Sequence, residues 1–174
     1  MLLPGHSLRL FLPAMLLAVS YGVYAAAEPV MQSNKPGKRA DAAALERGRY
    51  LVKLGGCNDC HTPGYAQSGG KIDENQWLVG DKLGWRGPWG TTYASNLRLY
   101  ITTLSEDQWV QVARALQTRP PMPWFTLRGL HERDLRAMYK FIKHLGPSGE
   151  QAPSYLPPDR EPPHPYVQFP QPPK

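Results

Sequence analysis

The run Cys57-Asn58-Asp59-Cys60-His61 constrains this chain more than any other feature of its sequence. Two thiols at this spacing can each form a thioether with one vinyl group of a single porphyrin, and the histidine that follows can ligate its iron. The chain contains 2 cysteines, so none is left for a competing role. The motif predicts a fold wrapped around one covalent haem c, with Cys57 and Cys60 as thioether residues and His61 as proximal ligand.

A methionine between prolines is the best candidate for the second axial ligand of that iron. Met122 stands in Pro120-Pro121-Met122-Pro123, outside any predicted helix. Prolines fix the backbone on both sides, which lowers the entropy lost when the thioether is held in one place. Met138 falls at core spacing in a predicted helix and is interpreted as a packing residue. The sequence therefore predicts His61 and Met122 as the axial pair.

The first 27 residues have the order of a secretory signal. Arg9 precedes an apolar run, residues 11–19, and small residues follow as far as Ala27. The stretch from Leu10 to Ala27 carries no charge and could nearly span a bilayer, so an uncleaved anchor is the alternative. Both interpretations predict export, either into the periplasm of a bacterium or to the periplasmic face of its inner membrane.

The charge of the chain disfavours nucleic acid as a partner. The formal net charge is +6, but no dense basic run is interleaved with aromatic residues. Part of the positive charge falls late in the chain, and it is interpreted either as solvated helix surface or as a weak steering field for an acidic partner. The candidate steering residues are Arg133, Arg136, Lys140 and Lys143.

Composition divides the exported part into three segments. Residues 28–40 are polar and are predicted to form a flexible leader. Residues 41–146 carry the helical patterns and form the predicted domain. Residues 147–174 are dense in proline, which disfavours helix and sheet interiors, so an extended tail is predicted there.

Three helices are predicted in the domain, and no run shows sustained strand alternation. The first extends from Asp41 to Leu54. The second begins after Ser105, which forms a capping box with Gln108, and the third spans residues 132–145. A long loop, residues 62–100, contains glycine, tryptophan and proline, and wrapping a cofactor would explain its length. The predicted fold class is all-α.

These residues resemble class I cytochromes c, most closely the monohaem domains of cytochrome subunits of periplasmic dehydrogenases. The resemblance covers residues 45–146. It is carried by four segments: Gly48-Arg49-Tyr50-Leu51-Val52, the haem motif with Thr62-Pro63-Gly64, the segment 90–97, and Pro121-Met122-Pro123-Trp124-Phe125 with the helix that follows. One departure is Arg98-Leu99, where the family usually has Thr-Pro.

The resemblance implies helices packed around one haem, with the first and last helices crossing at Gly48 and Phe141. It also implies a proline carbonyl that accepts from the free ring N–H of His61, for which Pro88 is the candidate. Trp85 and Trp89 are candidates to donate indole N–H groups to a haem propionate, or else they pack in the core.

The sequence favours an electron-transfer protein or subunit without a catalytic site of its own. It would pass single electrons from a dehydrogenase donor to a cytochrome or oxidase acceptor. A haem enzyme or gas sensor with an open iron site is the alternative, and it requires Met122 to be free of the iron. A thiol–disulfide oxidoreductase is a further alternative, but a glycine-rich helix end precedes Cys57 in place of the expected strand.

Overall fold

The computed structural model describes residues 36–163 and 165–170 of the 174-residue chain. The predicted signal or anchor, residues 1–27, lies outside the described residues, as does most of the predicted leader. Within the described part of the chain, no helix is both long and apolar enough to cross a membrane.

Six α-helices are found in the described residues. The two long helices late in the chain follow the sequence prediction, but the first helix begins at Pro36 and not at Asp41, so residues 36–40 of the predicted flexible leader are helical. The Ser105 hydroxyl accepts a hydrogen bond from the backbone N–H of Gln108, and the Gln108 side chain accepts one from the backbone N–H of Ser105. The predicted capping box is therefore confirmed. The last helix has the predicted bounds and ends at Gly146, which has a φ of 69°. The helices are α1 (Pro36–Leu54), α2 (Cys57–His61), α3 (Leu97–Tyr100), α4 (Glu106–Ala115), α5 (Trp124–Arg128) and α6 (Glu132–Leu145).

The prediction of an all-α fold is wrong, because the structure contains a three-stranded sheet with the order β2-β1-β3. Strand β1 (Gly84–Gly87) pairs antiparallel with β2 (Gly90–Tyr93) and parallel with β3 (Tyr166–Gln168). The hairpin strands are too short and too rich in glycine to show alternation. Strand β3 comes from the proline-rich tail, so this part of the predicted tail lies on the domain.

Helices α1 and α6 pack at the centre of the molecule. Gly48 allows their close approach, since a Cβ atom there would lie 2.1 Å from the Ala137 carbonyl oxygen and 2.6 Å from Phe141 Cβ. The crossing that the resemblance implied at Gly48 and Phe141 is therefore confirmed. The buried core around it includes Leu51, Val52, Trp77, Leu78, Ile101, Trp109, Leu135, Met138, Phe141 and Ile142.

Arg98, the departure from the family pattern, is a buried residue that joins two parts of the fold. Its guanidinium donates to the carbonyls of Gly146 at 2.5 Å and Asn75 at 2.6 Å, and also to that of Leu145. The carbonyls at a helix C-terminus have no intrahelical partner, so this side chain supplies partners to the end of α6. It thereby fixes α6 against the long loop.

Candidate functional site

The two cysteines lie on the short helix α2, at the end of α1. Gly56, with a φ of 65°, turns the chain between the two helices, a conformation that glycine adopts without steric cost. Both thiols are free and half-buried. Burial raises the pKa of Cys57 to about 11, and burial together with the Asp59 carboxylate raises the pKa of Cys60. Both sulfur atoms are therefore protonated thiols at neutral pH.

The ring of His61, at the C-terminal end of α2, is buried and held in one orientation. Its Nδ1 atom lies 2.7 Å from the carbonyl oxygen of Ser95, so Nδ1 carries the proton and donates it. Burial lowers the pKa of His61, which favours the neutral imidazole. In this tautomer the Nε2 lone pair is available to a metal ion, and a carbonyl partner on the other nitrogen is the usual arrangement for a ligating histidine.

Ser95 takes the position that the sequence analysis gave to Pro88. Pro88 lies exposed in the turn between β1 and β2, while Ser95 follows β2 closely. The segment around Ser95 is held on both sides: Ala94 accepts from the backbone N–H of Asp81, and the Asn96 side chain donates to two carbonyls. Every residue has a carbonyl group, so no residue type in the sequence marks the one that meets His61.

Met122 is half-buried in the segment between α4 and α5. Its carbonyl accepts from the Trp124 N–H at 2.9 Å, and two residues earlier the Pro120 carbonyl accepts from Thr92 Oγ1 at 2.8 Å. Thr92 precedes Ser95 by three residues, which span at most about 11 Å of extended chain. One short stretch, from Thr92 in β2 to Ser95 just after it, therefore contacts both the segment that carries Met122 and the ring of His61.

The rings of Trp85 and Trp89 both contact Phe169, but their indole N–H groups differ in hydrogen bonding. Trp85 lies opposite Thr92 in the hairpin, so both side chains are on the same face of the sheet. On that face Thr92 contacts the methionine segment, residues 116–123 between α4 and α5. The indole N–H of Trp85 is buried and has no hydrogen-bond partner within the described residues. The N–H of Trp89 donates to the Trp85 carbonyl at 3.3 Å, and its ring packs on Phe169 at a centroid distance of 5.2 Å. Trp89 is thus a packing residue.

The unpartnered N–H of Trp85 tests whether this site fits a haem. It is one of four buried side-chain polar atoms without a partner in the described residues, and a buried donor without an acceptor is costly, so an acceptor from outside the protein would stabilise it. A propionate oxygen is such an acceptor. In the residues that the structure describes, no three His, Cys, Asp or Glu side chains gather around a common point, so the chain offers no zinc-type cluster there. Two thiols, one oriented imidazole and this donor fit a covalent haem.

Comparison with known proteins relates the chain to dehydrogenase subunits. No family model matches the sequence, and no solved structure gives a significant match. The chain is 28% identical over 123 residues to one of the subunits of nicotinate dehydrogenase from Pseudomonas putida (strain KT2440), covering 65% of this chain and 10% of that protein. It is 28% identical over 141 residues to the cytochrome c subunit of the quinone alcohol dehydrogenase of Gluconobacter oxydans (strain 621H), covering 74% of this chain and 25% of that one. The chain is therefore similar to short parts of two dehydrogenase subunits, one of which is a cytochrome c subunit.

Proposed function

We propose that this chain is an electron-transfer subunit or carrier, with one haem c bound through Cys57 and Cys60. Its redox partners are proteins: a dehydrogenase as donor, and a cytochrome or oxidase as acceptor. The similarity to two dehydrogenase subunits supports this kind of partner. In this role the chain needs no catalytic residues, because the bound haem supplies a one-electron ferric–ferrous couple.

The orientation of His61 is the single observation that carries the proposal. Its ring is buried, neutral and bonded through Nδ1 to the Ser95 carbonyl, directly after two free thiols. A surface histidine would not need this arrangement, and a core histidine would usually pair both ring nitrogens. The Ser95 bond holds the ring in place, so that Nε2 keeps one direction toward the iron.

The state of the cysteines disfavours the thiol–disulfide alternative. A redox-active cysteine reacts as the thiolate and has a lowered pKa, as found at helix N-termini and beside cations. Here burial raises the pKa of Cys57 to about 11 and also raises that of Cys60. Neither thiol therefore has the lowered pKa that is typical of a cysteine active in disulfide exchange.

Met122 is proposed as the second axial ligand. The hydrogen bond from Thr92 to Pro120 brings the methionine segment to the same stretch of chain that holds His61, which supports this assignment. With both axial positions filled by side chains, small molecules would be kept from the iron. The site would then exchange electrons and bind no substrate, unlike the open-site alternative.

We further propose that the protein works outside the cytoplasm. The support is the signal-like order of residues 1–27, which applies to a cleaved signal and to a retained anchor alike. Covalent haem attachment fits an exported protein, because the thioether bonds hold the cofactor where it could otherwise be lost.

An absorption spectrum of the purified protein, oxidised and then reduced, tests the proposal. The ferric protein should show the weak near-infrared band of a sulfur–iron bond, and Met122→Ala should abolish it. Met138→Leu is the matched control, since Met138 is buried in the core and leucine preserves the packing there. A ferric wild type without the band would instead support the open-site alternative.

A further inference from the structure

We propose that the proline-rich tail clamps the methionine segment against the β-hairpin, with Tyr155 and Arg119 as positioning residues for Met122. The inference rests on the proposed function, in which Met122 ligates the iron. In this role the tail supports electron transfer, because it keeps the Met122 thioether on the iron.

The tail is docked on the hairpin by backbone hydrogen bonds. Thr91 N–H donates to the Leu156 carbonyl at 2.7 Å, and Leu156 N–H donates back to Thr91 at 3.0 Å. Gly90, with a φ of 95°, makes room for this contact: a Cβ atom there would lie 2.3 Å from the Leu156 oxygen and 2.9 Å from the Tyr155 ring. The tail thus lies directly against the start of β2.

Tyr155 joins the hairpin to the methionine segment. Its hydroxyl donates to the Trp89 carbonyl at 3.0 Å, which fixes the position of the ring. The guanidinium carbon of Arg119 lies 3.9 Å from the centroid of that ring, which is within the range of a cation–π interaction. Arg119 precedes Met122 by three residues, so the tail restrains the chain just before the proposed ligand.

A second tether acts on the same side of Met122. Thr92 Oγ1 donates to the Pro120 carbonyl, so Pro120 is held to the hairpin directly, while Arg119 is held through Tyr155 of the tail. Helix α4 ends at Ala115 and α5 begins at Trp124, which leaves the methionine between two helices and outside both. These tethers replace the restraint that a helix would provide. Losing the Tyr155 contacts should therefore raise the fraction of molecules in which the Met122 thioether is off the iron.

Imidazole competition on the ferric holoprotein measures that population. Exogenous imidazole binds only when the thioether leaves, so its apparent affinity scales with the open fraction. A cation–π contact and one hydroxyl hydrogen bond correspond together to about a tenfold change. Tyr155→Leu and Arg119→Ala should each tighten apparent imidazole binding by about three- to tenfold, and the double variant should tighten it no further than Tyr155→Leu alone.

Tyr166→Phe is the matched control, because the Tyr166 hydroxyl donates to Glu161 within the tail itself. It should bind imidazole as the wild type does, and Tyr155→Phe should fall between wild type and Tyr155→Leu. Arg119 is exposed, so Arg119→Ala tests the clamp even if Tyr155→Leu fails to fold. Equal imidazole affinity in wild type and Arg119→Ala would overturn the clamp while leaving the haem assignment intact. A wild type without the sulfur–iron band would overturn both.

Discussion

At the scale of single residues, Gly48 sets how closely α1 approaches α6. A Cβ atom at this position would lie within 2.1 Å of a backbone oxygen, so the helices would have to move apart. We expect Gly48→Ala to lower the free energy of unfolding by about 3 kcal/mol, the upper end for overpacking. Gly37→Ala is the control on the same helix, since a Cβ atom there meets nothing within 4 Å.

Chemical denaturation of the two variants measures this difference. Gly37→Ala should be neutral or stabilising by up to about 1 kcal/mol, because alanine favours helix over glycine. Equal stability of the two variants would show that the helices do not cross as closely as the structure indicates.

The ion pair between Arg47 and Asp134 should make stability depend on pH. Arg47 Nε donates to the buried Asp134 carboxylate at 3.0 Å and lowers the pKa of that carboxyl. A carboxyl whose folded pKa is depressed stabilises the protein above its unfolded pKa, near 4, and this contribution is lost as the pH falls through the folded value. Thermal unfolding should show Asp134→Asn less stable than wild type at pH 6, with the difference closing below about pH 4.

The exposed pair of Lys82 and Glu150 is the control for that experiment. Both side chains are more than 70% exposed, so Glu150→Gln should leave thermal stability nearly unchanged at either pH. A gap between wild type and Asp134→Asn that is constant from pH 6 to pH 3 would contradict the assignment of the pH dependence to this carboxyl.

The candidate site was predictable where the chemistry needs a particular side chain. Two thiols and an imidazole at fixed spacing define Cys57, Cys60 and His61 from the sequence alone. Ser95 was not predictable, because its contact with His61 uses a backbone carbonyl and depends on where the chain runs after β2. The same holds for Arg119 and Tyr155, whose contact joins parts of the chain that are distant in sequence.

At the scale of elements, Arg98 connects the end of α6 to the loop around Asn75. Arg98→Ala would leave three part-buried carbonyls without this donor and remove a buried side chain. We expect it to lower the free energy of unfolding by about 3 kcal/mol, as estimated from hydrogen bonds made by charged groups. Arg114→Ala, on the exposed side of α4, is the control and should change stability by less than about 0.5 kcal/mol.

Hydrogen exchange can locate the effect of Arg98→Ala. Amides in the last turn of α6 should exchange faster in the variant, because the cap is lost there. Uniformly faster exchange over the whole chain, with no excess at the end of α6, would contradict a capping role for Arg98.

The elements differed in how far the sequence determined them. Helices α4 and α6 carry local signals, a capping box in one and a terminal glycine in the other, and both were predicted. The strands carry none: β1 and β2 are four residues each, and β3 pairs with β1 about 80 residues away in the sequence. Strand pairing over such distances depends on tertiary packing, which local propensity does not encode.

At the scale of the whole molecule, the charges around α6 are less available for steering than the sequence suggested. Arg136 is surrounded by the carboxylates of Glu106, Asp107 and Glu132, so much of its field is neutralised. Lys143 is exposed on the same helix. Lys143 is therefore a better residue than Arg136 for testing whether these charges steer a partner.

Electron transfer from a donor protein should slow as salt rises, because screening shortens the reach of surface charges to about 8 Å at physiological ionic strength. Lys143→Gln should lower the second-order rate about twofold at low salt, and Arg136→Gln should lower it less. Stopped-flow reduction over a range of ionic strengths measures both. A rate that is flat from low to high salt would exclude steering and leave the carrier role standing.

We propose that one haem is covalently bound to this chain at Cys57 and Cys60. Mass spectrometry of a denatured proteolytic digest, made from protein produced with its own leader in a bacterium that matures c-type cytochromes, tests it most directly. We predict that the peptide containing both cysteines carries the mass of one haem and that neither thiol is alkylated. A peptide without haem, with both thiols freely alkylated, would contradict the claim.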